Sequence, residues 1–315
     1  MNDCFQILSL DGGGIKGLFS AVLLAKLEED LKIKVIDHFD LIVGTSTGGI
    51  IALGLGLGMT PKEIVDFYLE KGPRIFAGIP VASWFKHILF NKYDGKILED
   101  ILKDDKCFGS RLLGESKKRL VIPSFDTDSG EVYIFKTAHH ERFKRDFKYP
   151  AWKVARATTA APSFFPTCKC IDNISLVDGG LWANNPSMIG LVEAIKVLEI
   201  PIDTIKILNI GTTEELSKKS FVLKYFGGWL PRALPAIKTI LQAQSSAVCS
   251  QCKLLIKDHY VRISPKVPEG LFKLDKLNMQ DLYAFASKHS RDNSPIFENV
   301  FSGHKSGEFV PIHKI

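Results

Sequence analysis

The chain has 315 residues, 45% of them hydrophobic, so it can bury a large core and form one α/β domain. Its 41 basic and 35 acidic residues give a net charge of +6, which mildly favours anionic membrane surfaces and is equally typical of soluble proteins. The longest apolar stretch, residues 48–59, is too short and too glycine-rich to span a bilayer. An aspartate among the first four residues leads directly into an apolar run, so we expect no signal sequence and a cytoplasmic location. We expect no DNA or RNA partner.

The first predicted element is a buried strand over residues 5–10, followed by a glycine-rich turn and a helix over residues 18–31. The turn contains Asp11, Gly12, Gly13, Gly14, Ile15, Lys16 and Gly17. Three consecutive glycines leave backbone N–H groups unobstructed. Such a turn suits an oxyanion hole, which stabilises a tetrahedral intermediate of acyl transfer.

A dinucleotide-binding loop is the alternative for this turn, because Gly12, Gly14 and Gly17 also fit the pattern G-x-G-x-x-G. Such a site needs an acidic residue about 20 positions further on, at the end of a second strand. Asp37 and Asp40 lie near that distance but precede the next predicted strand. The pattern therefore favours the oxyanion hole.

A second turn places Ser46 between a predicted strand over residues 39–43 and an apolar helix over residues 49–55. Gly44 and Gly48 flank the serine and let strand and helix approach closely, which forces the serine out at the helix N-terminus. The free N–H groups and the dipole of that helix favour negative charge beside the serine. The spacing indicates a nucleophile on a sharp turn, and a glycine-rich turn with an idle serine is the alternative.

A capping box predicts a helix that begins after Thr60 and ends near Lys71, with Pro61 at its first position. Residues 72–94 then lack regular patterning and interleave aromatic with basic side chains. We expect either a lid over the site at the membrane interface or a packed surface loop.

The remaining predicted elements indicate an α/β fold with a largely parallel sheet. Residues 120–137 predict a β-hairpin, residues 185–198 a helix and residues 205–210 a buried strand. Residues 221–243 combine apolar side chains with scattered cations. Packing on the core is favoured there over a second surface that contacts a membrane or a partner.

Cys249 and Cys252 have the spacing of a redox or metal-binding pair and lie in a predicted helix over residues 237–256, with His259 nearby. A fourth ligand is not evident, and two apolar thiols on consecutive turns of a helix are common. We therefore expect no metal ion and no cofactor.

A nucleophilic serine needs a base, and none of the eight histidines has a setting that marks a triad member. Asp178 is more suggestive, because it ends an apolar strand and precedes Gly179 and Gly180, which allow close approach. The alternative is an ordinary Asp-Gly turn.

These three motifs, in this order, resemble the patatin-like phospholipase family. In that family a D-G-G-G-x-[RK]-G loop forms the oxyanion hole, the serine of G-x-S-x-G is the nucleophile, and the aspartate of D-G-[AG] completes a dyad without histidine. Residues 160–166 resemble the further segment A-A-P-x-x-F-P. The resemblance covers about residues 5–210. It implies a patatin-like, α/β hydrolase-type three-layer fold for residues 1–315, with residues 212–315 as the helical C-terminal part of one domain.

Carried over residue by residue, the resemblance implies Ser46 as the nucleophile and Asp178 as its base. The implied oxyanion hole is formed by Gly12, Gly13 and Gly14. By analogy Lys16 lies near a phospholipid phosphate, although arginine is commoner there, and a solvated lysine at a helix start is the alternative. The implied activity is that of a serine esterase of the phospholipase A type, which acts on membrane phospholipids and is peripheral to the membrane when it acts.

Partners follow from the same resemblance. Some bacterial patatin-like enzymes that this chain resembles are antiphage effectors switched on by cyclic oligonucleotides, so a cyclic oligonucleotide is an implied activator. Homo-oligomerisation is left open. A nucleotide-binding regulatory protein and a non-catalytic storage or scaffold protein are the alternative functions. The presence of all three motifs disfavours the last of these.

Overall fold

The structure is a computed structural model that describes residues 4–77, 92–216, 233–268, 271 and 278–315. Residues 78–91 of the predicted lid lie outside the described residues. So do residues 217–232, which include residues 221–232 of the segment predicted to pack on the core, and the side chains of residues 233–238.

Strands occupy the described residues in the order β1 Phe5–Leu10, β2 Leu41–Gly44, β3 Arg119–Asp126, β4 Glu131–Lys136, β5 Leu176–Asp178, β6 Ile205–Ile210, β7 Glu214–Leu216, β8 Tyr260–Ile263 and β9 Lys266–Pro268. The central sheet has the order β4-β3-β2-β1-β6-β8, with β5 paired to β3. Strands β7 and β9 form a separate pair.

Parallel pairing joins β3, β2, β1, β6 and β8, whereas β4 and β5 pair antiparallel with β3. In the register of the sheet, Leu10 lies opposite both Gly44 and Ile210. The carboxyl ends of parallel strands meet at one edge of a sheet, where ligands bind in open α/β folds. The glycine-rich turn, the turn of Ser46 and residues 211–213 therefore lie at the same edge.

Helices occupy α1 Gly17–Leu31, α2 Thr47–Gly56, α3 Pro61–Ile75, α4 Gly95–Lys103, α5 Ala151–Thr158, α6 Gly180–Ala183, α7 Ser187–Lys196, α8 Ala233–Ile256 and α9 Met279–Val300. They cover both faces of the sheet. Alternation along β1 shows this, because Leu8 and Leu10 pack in a cluster with α1, α2, α3 and α9, whereas Phe5 and Ile7 pack in a second cluster with α7 and α8. The expected three-layer α/β fold with a largely parallel sheet is confirmed.

Element boundaries differ from the predicted ones by a few residues. The capping box is present, with the Glu63 N–H donating to Thr60 Oγ1 at 3.2 Å, but α3 continues past Lys71 to Ile75 with Pro73 inside it. Strand β2 begins two residues later than predicted, because a 3₁₀ turn precedes it. Such shifts are usual, since helix and strand ends respond to tertiary packing more than to local pattern.

The C-terminal residues pack onto the same hydrophobic clusters as the N-terminal strands. Helix α9 lies along α1, and its Leu282, Ala286 and Phe297 are buried in the larger cluster. Within the described ranges, none of the helices combines the length and the apolar character that crossing a membrane requires.

Candidate active site

Ser46 lies on a strained turn between β2 and α2. Its φ of 55° and ψ of −122° fall outside the regions that side chains with a Cβ prefer, as at nucleophile turns of hydrolases. The turn is held by the Ser46 N–H, which donates to Thr158 Oγ1 at 3.0 Å, while Thr158 Oγ1 donates to the carbonyl of Pro123. The strain is thus maintained by bonds to β3 and α5.

Close approach around this turn excludes side chains from the predicted motif glycines. A Cβ atom at Gly48 would lie 2.3 Å from the Leu10 carbonyl oxygen, and one at Gly44 would lie 2.3 Å from the carbonyl oxygen of Gly48. A Cβ atom would also come within 3.0 Å of a neighbouring atom at Gly12, Gly13, Gly17, Gly179 and Gly180. These positions bring the three motifs against one another.

Asp178 is hydrogen-bonded directly to the serine. The Ser46 Oγ–H donates to Asp178 Oδ2 at 2.6 Å, and the N–H of Gly180 donates to Oδ1 at 2.6 Å. Strand β5 fixes the aspartate backbone, and the Asp178 N–H donates to the Ala160 carbonyl. Both side chains are buried. Burial raises the pKa of the Asp178 carboxyl to about 6, and the hydrogen bonds from Ser46 and Gly180 only partly oppose it.

The glycine-rich turn faces Ser46. A Cβ at Gly12 would lie 3.2 Å from the Ser46 Cβ, and one at Gly13 would collide with the side chain of Thr212. The N–H of Gly12 donates to the Asn184 carbonyl at 3.0 Å, so this donor is already engaged. Gly14 has a φ of 60° and begins the short turn that leads into α1.

Lys16 is buried rather than solvated. Its Nζ donates to the Thr213 carbonyl at 3.0 Å, across a sequence separation that local pattern cannot reveal. The alternative of a solvated lysine at the helix start is therefore wrong. Proximity to a phospholipid phosphate remains a prediction.

A cavity opens beside the two reactive side chains. Its lining includes Ser46, Asp178, the glycine-rich turn and Lys16. One wall is apolar and comes from α2, α3, α4 and the segment 161–165; it comprises Ile50, Phe67, Ile75, Phe76, Leu98, Pro162, Phe164 and Phe165. The lining also includes the polar side chains of Glu214, Ser245 and Arg262.

Aromatic rings brace the apolar wall. The Phe76 ring contacts the rings of Tyr93 and Phe165 at centroid distances of 5.4 Å and 6.4 Å, and Tyr93 stacks on Phe164. The Tyr93 N–H donates to the Phe164 carbonyl at 2.8 Å. The predicted lid segment, residues 72–94, thus has its described ends packed against the segment 160–166.

Among the described residues, no histidine lines this cavity. His139, for example, is hydrogen-bonded to Glu193. Cys249 and Cys252 are free cysteines in α8, and Cys252 is fully buried.

Sequence reasoning missed several polar residues of the site. Thr158 holds the serine turn, Asn184 accepts from the glycine-rich turn, and Arg262 forms an ion pair with Asp11. Asn184 follows Asp178 by six residues, so its nearness in sequence to the motif is the signal that points to it. Arg262 lies in no motif, and only the tertiary structure reveals its partner.

The site combines a strained serine between strand and helix, an aspartate hydrogen-bonded to it and a glycine-rich turn beside both. On a mostly parallel sheet, this combination defines a lipid acyl hydrolase of the patatin type. A family model described as patatin-like phospholipase matches residues 8–190. The chain belongs to the patatin-like phospholipase family and is an enzyme of the carboxylic ester hydrolase class.

Individual relatives agree with this assignment. The chain is 37% identical over 251 residues to a Vibrio cholerae protein named cGAMP-activated phospholipase. The alignment covers 71% of this chain and 70% of that protein. A Pseudomonas aeruginosa protein of the same name is 32% identical over 271 residues, with 83% of this chain and 78% of that protein covered.

The crystal structure of VipD from Legionella pneumophila is similar with a TM-score of 0.50 and 13% identity, covering 96% of this chain and 67% of that one. At this identity the likeness supports the fold alone.

Proposed function

We propose that the chain is a phospholipase that releases fatty acids from membrane phospholipids, with Ser46 as nucleophile and Asp178 as its base. The observation that carries the proposal is the 2.6 Å hydrogen bond from Ser46 Oγ to Asp178 Oδ2 in a buried site. A nucleophile in direct contact with a base is the arrangement that covalent acyl transfer requires.

The proposed reaction has two steps. Ser46 Oγ attacks the ester carbonyl carbon, its proton passes to Asp178 Oδ2, and the N–H groups of Gly13 and Gly14 stabilise the oxyanion. Gly12, expected as a third donor, is left out because its N–H already donates to the Asn184 carbonyl. The tetrahedral intermediate collapses as Asp178 protonates the departing alkoxide, which leaves an acyl-serine. Water then attacks the acyl-serine and gives one proton to Asp178. The second tetrahedral intermediate collapses as Asp178 returns that proton to Ser46 Oγ, which releases the fatty acid and restores the serine. Asp178 suits this role because its raised pKa makes it a stronger base than an ordinary carboxylate.

The apolar wall supports an acyl chain as the group that enters the cavity. Each methylene transferred from water to an apolar wall contributes about 0.8 kcal/mol. Leu98 on α4 is buried and lines this wall, so its side chain helps to limit the space for the chain.

Leu98→Phe is expected to lower kcat/KM for palmitoyl esters by about 10- to 100-fold, because the larger ring displaces two or three methylenes of the substrate from the wall. Hydrolysis of butyryl esters is expected to stay near the wild-type rate. Asp100→Phe adds the same ring to the exposed face of α4 and is the matched control. An equal loss on short and long esters contradicts this position for the acyl chain.

We further propose that a cyclic dinucleotide switches the enzyme on, and that it acts from the cytoplasm as a peripheral protein that degrades the cell's own membrane. Relatives at 37% and 32% identity, aligned over most of this chain, are named cGAMP-activated phospholipase. They support cGAMP as the first activator to test.

The test is fatty-acid release from vesicles of phosphatidylethanolamine and phosphatidylglycerol, with no nucleotide, with cGAMP, or with GMP plus AMP. We expect cGAMP alone to raise the rate by about tenfold or more, the effect of an activator with an ordinary coupling energy. Equal rates in all arms contradict nucleotide activation. No release in any arm contradicts the phospholipase proposal and favours a regulatory or scaffold role.

A further inference from the structure

One arginine on β8 connects the glycine-rich turn with the C-terminal part of the chain. The Arg262 Nη1 group donates to Asp11 Oδ2 at 2.8 Å. Its Nη2 group donates to Glu214 Oε1 at 2.8 Å and to Ser245 Oγ at 3.0 Å. Arg262 thereby joins the end of β1, the start of β7 and helix α8, and it lies outside the residues that the family model matches.

Asp11 is the residue at which the glycine-rich turn begins, and both of its carboxylate oxygens and its backbone N–H are hydrogen-bonded. Asn209 Nδ2 donates to Asp11 Oδ1 at 2.7 Å, Arg262 donates to Oδ2, and the Asp11 N–H donates to the Ile210 carbonyl at 3.0 Å. The carboxyl is buried, and this burial raises its pKa while the Arg262 guanidinium opposes the rise. A buried carboxylate held from both oxygens fixes the direction in which the chain enters the turn.

The direction in which the chain leaves Asp11 determines where Gly12 and Gly13 lie. Gly12 is bonded through its N–H to Asn184, and Gly13 fits against Thr212 with no room for a side chain. The positions of the Gly13 and Gly14 N–H groups relative to Ser46 therefore depend on where Asp11 is held. Oxyanion stabilisation is sensitive to this, because a misplacement of about 1 Å lowers a rate by about 100-fold.

We propose that Arg262 is a positioning residue that holds the glycine-rich turn in the form that receives the oxyanion, and that Ser245 and Glu214 make this form depend on α8 and β7. The inference rests on the proposed roles of Ser46 and the glycine-rich turn. It adds a set of contacts through which the part of the chain after residue 212 influences the rate of acyl transfer.

Arginine is required for this arrangement because its planar fork serves four partners at once, the fourth being Asn209 Oδ1, which accepts from Nη1. Nη1 faces Asp11 while Nη2 faces Glu214 and Ser245, so the guanidinium plane is fixed by acceptors on two sides. A lysine at this position retains a charge for Asp11 but has a single nitrogen and cannot reproduce the fork.

The test uses the full chain and two readouts. The first is kcat and KM for a butyryl ester. The second is the rate at which a fluorophosphonate labels Ser46. In that reaction the serine proton passes to Asp178, an O–P bond forms, the P–F bond breaks with fluoride leaving, and the phosphonyl oxygen occupies the oxyanion site. We expect Arg262→Met to lower both kcat and the labelling rate by about 100-fold with KM unchanged. We expect Arg262→Lys to recover part of the loss.

Ser245→Ala isolates the contact with α8, since it removes one hydrogen bond and leaves the Asp11 ion pair in place. A loss of about 2- to 10-fold in the labelling rate is expected, the size of one hydrogen bond. Ser250→Ala is the matched control, because Ser250 is exposed on the same helix and its Oγ donates to the Ser246 carbonyl of that helix at 3.1 Å. It should label at the wild-type rate.

A folded Arg262→Met variant with wild-type labelling and kcat overturns the inference, as it shows a merely structural arginine. Should Arg262→Met fail to fold, wild-type labelling of Arg262→Lys and Ser245→Ala overturns it instead. The proposed function fails separately. In that case Ser46→Ala retains hydrolysis or the probe labels another residue, whatever the Arg262 variants do.

Discussion

Replacing Ser46 with alanine is expected to lower phospholipid hydrolysis by at least about 10⁴-fold, because the acyl-serine intermediate can no longer form. The oxyanion donors and the apolar wall remain in that variant, and a low residual rate from these features is expected. The measurement is fatty-acid release from vesicles under activating conditions, compared with the wild type at equal concentration of folded protein.

Ser46→Gly separates chemistry from backbone strain. The φ of 55° and ψ of −122° at this residue disfavour any side chain with a Cβ, at a cost of about 1–3 kcal/mol. Glycine relieves that strain, which raises the free energy of unfolding. Its greater conformational entropy in the unfolded state cancels part of this increase. We expect Ser46→Gly to be as inactive as Ser46→Ala. Its free energy of unfolding, measured by urea denaturation, is expected to be about 1 kcal/mol higher than that of Ser46→Ala.

Ser250→Ala controls for the loss of a serine hydroxyl elsewhere, since that side chain is exposed on α8 and distant in sequence from the motifs. Hydrolysis by Ser46→Ala at even a tenth of the wild-type rate contradicts the assignment of the nucleophile. Equal stability of the alanine and glycine variants would show that the turn is not strained in solution.

The sequence predicted which turns meet, because local pattern and one rule of topology suffice for that. Strands β1 and β2 are short apolar runs, each ended by glycines, and parallel strands bring their carboxyl ends to one edge. Asp178 was harder to place. It comes from β5, which pairs antiparallel with β3, so its position followed from resemblance to a family and not from the pattern of its own strand.

Other features of the site depend on contacts between residues far apart in sequence. The burial of Lys16 follows from residues 212–213, which fold back over the turn, and the Asp11–Arg262 pair joins residues separated by 251 positions. The engagement of the Gly12 N–H by Asn184 has the same origin. Charged and polar side chains carry no periodic signal that identifies a distant partner, so such pairs are visible only once the strands are in register.

Asp178→Asn is expected to lower hydrolysis by about 10³- to 10⁴-fold, since an amide cannot take the serine proton. The geometry should persist, because the amide oxygen can accept from the Gly180 N–H and the amide nitrogen can donate to Ser46 Oγ. In the wild type, the carboxylate accepts the proton only when ionised. We therefore expect kcat/KM to rise as the pH increases through about 6, the pKa to which burial raises Asp178.

Stability should change in the opposite sense. The folded-state pKa of Asp178 lies above its ordinary value of 3.8, so the wild type loses stability as the pH rises from about 4 through about 6. Asparagine is never charged and avoids this loss. Asp178→Asn is thus expected to be more stable than the wild type above pH 6, by up to about 3 kcal/mol, with the difference disappearing below pH 4.

Urea denaturation at pH 4 and pH 7.5 measures this difference, with Asp203→Asn as the control because that aspartate is exposed. The combination of lost activity and gained stability at neutral pH is specific to a catalytic base whose charged form is buried at a cost in desolvation free energy. A variant that is inactive and less stable at pH 7.5 would mean that the Asp178 charge supports the fold, and an active variant would mean that another group accepts the serine proton. The first result contradicts the raised pKa of Asp178 but not its role as the base. The second result removes Asp178 as the base and leaves Ser46 as the nucleophile with its base still to be found.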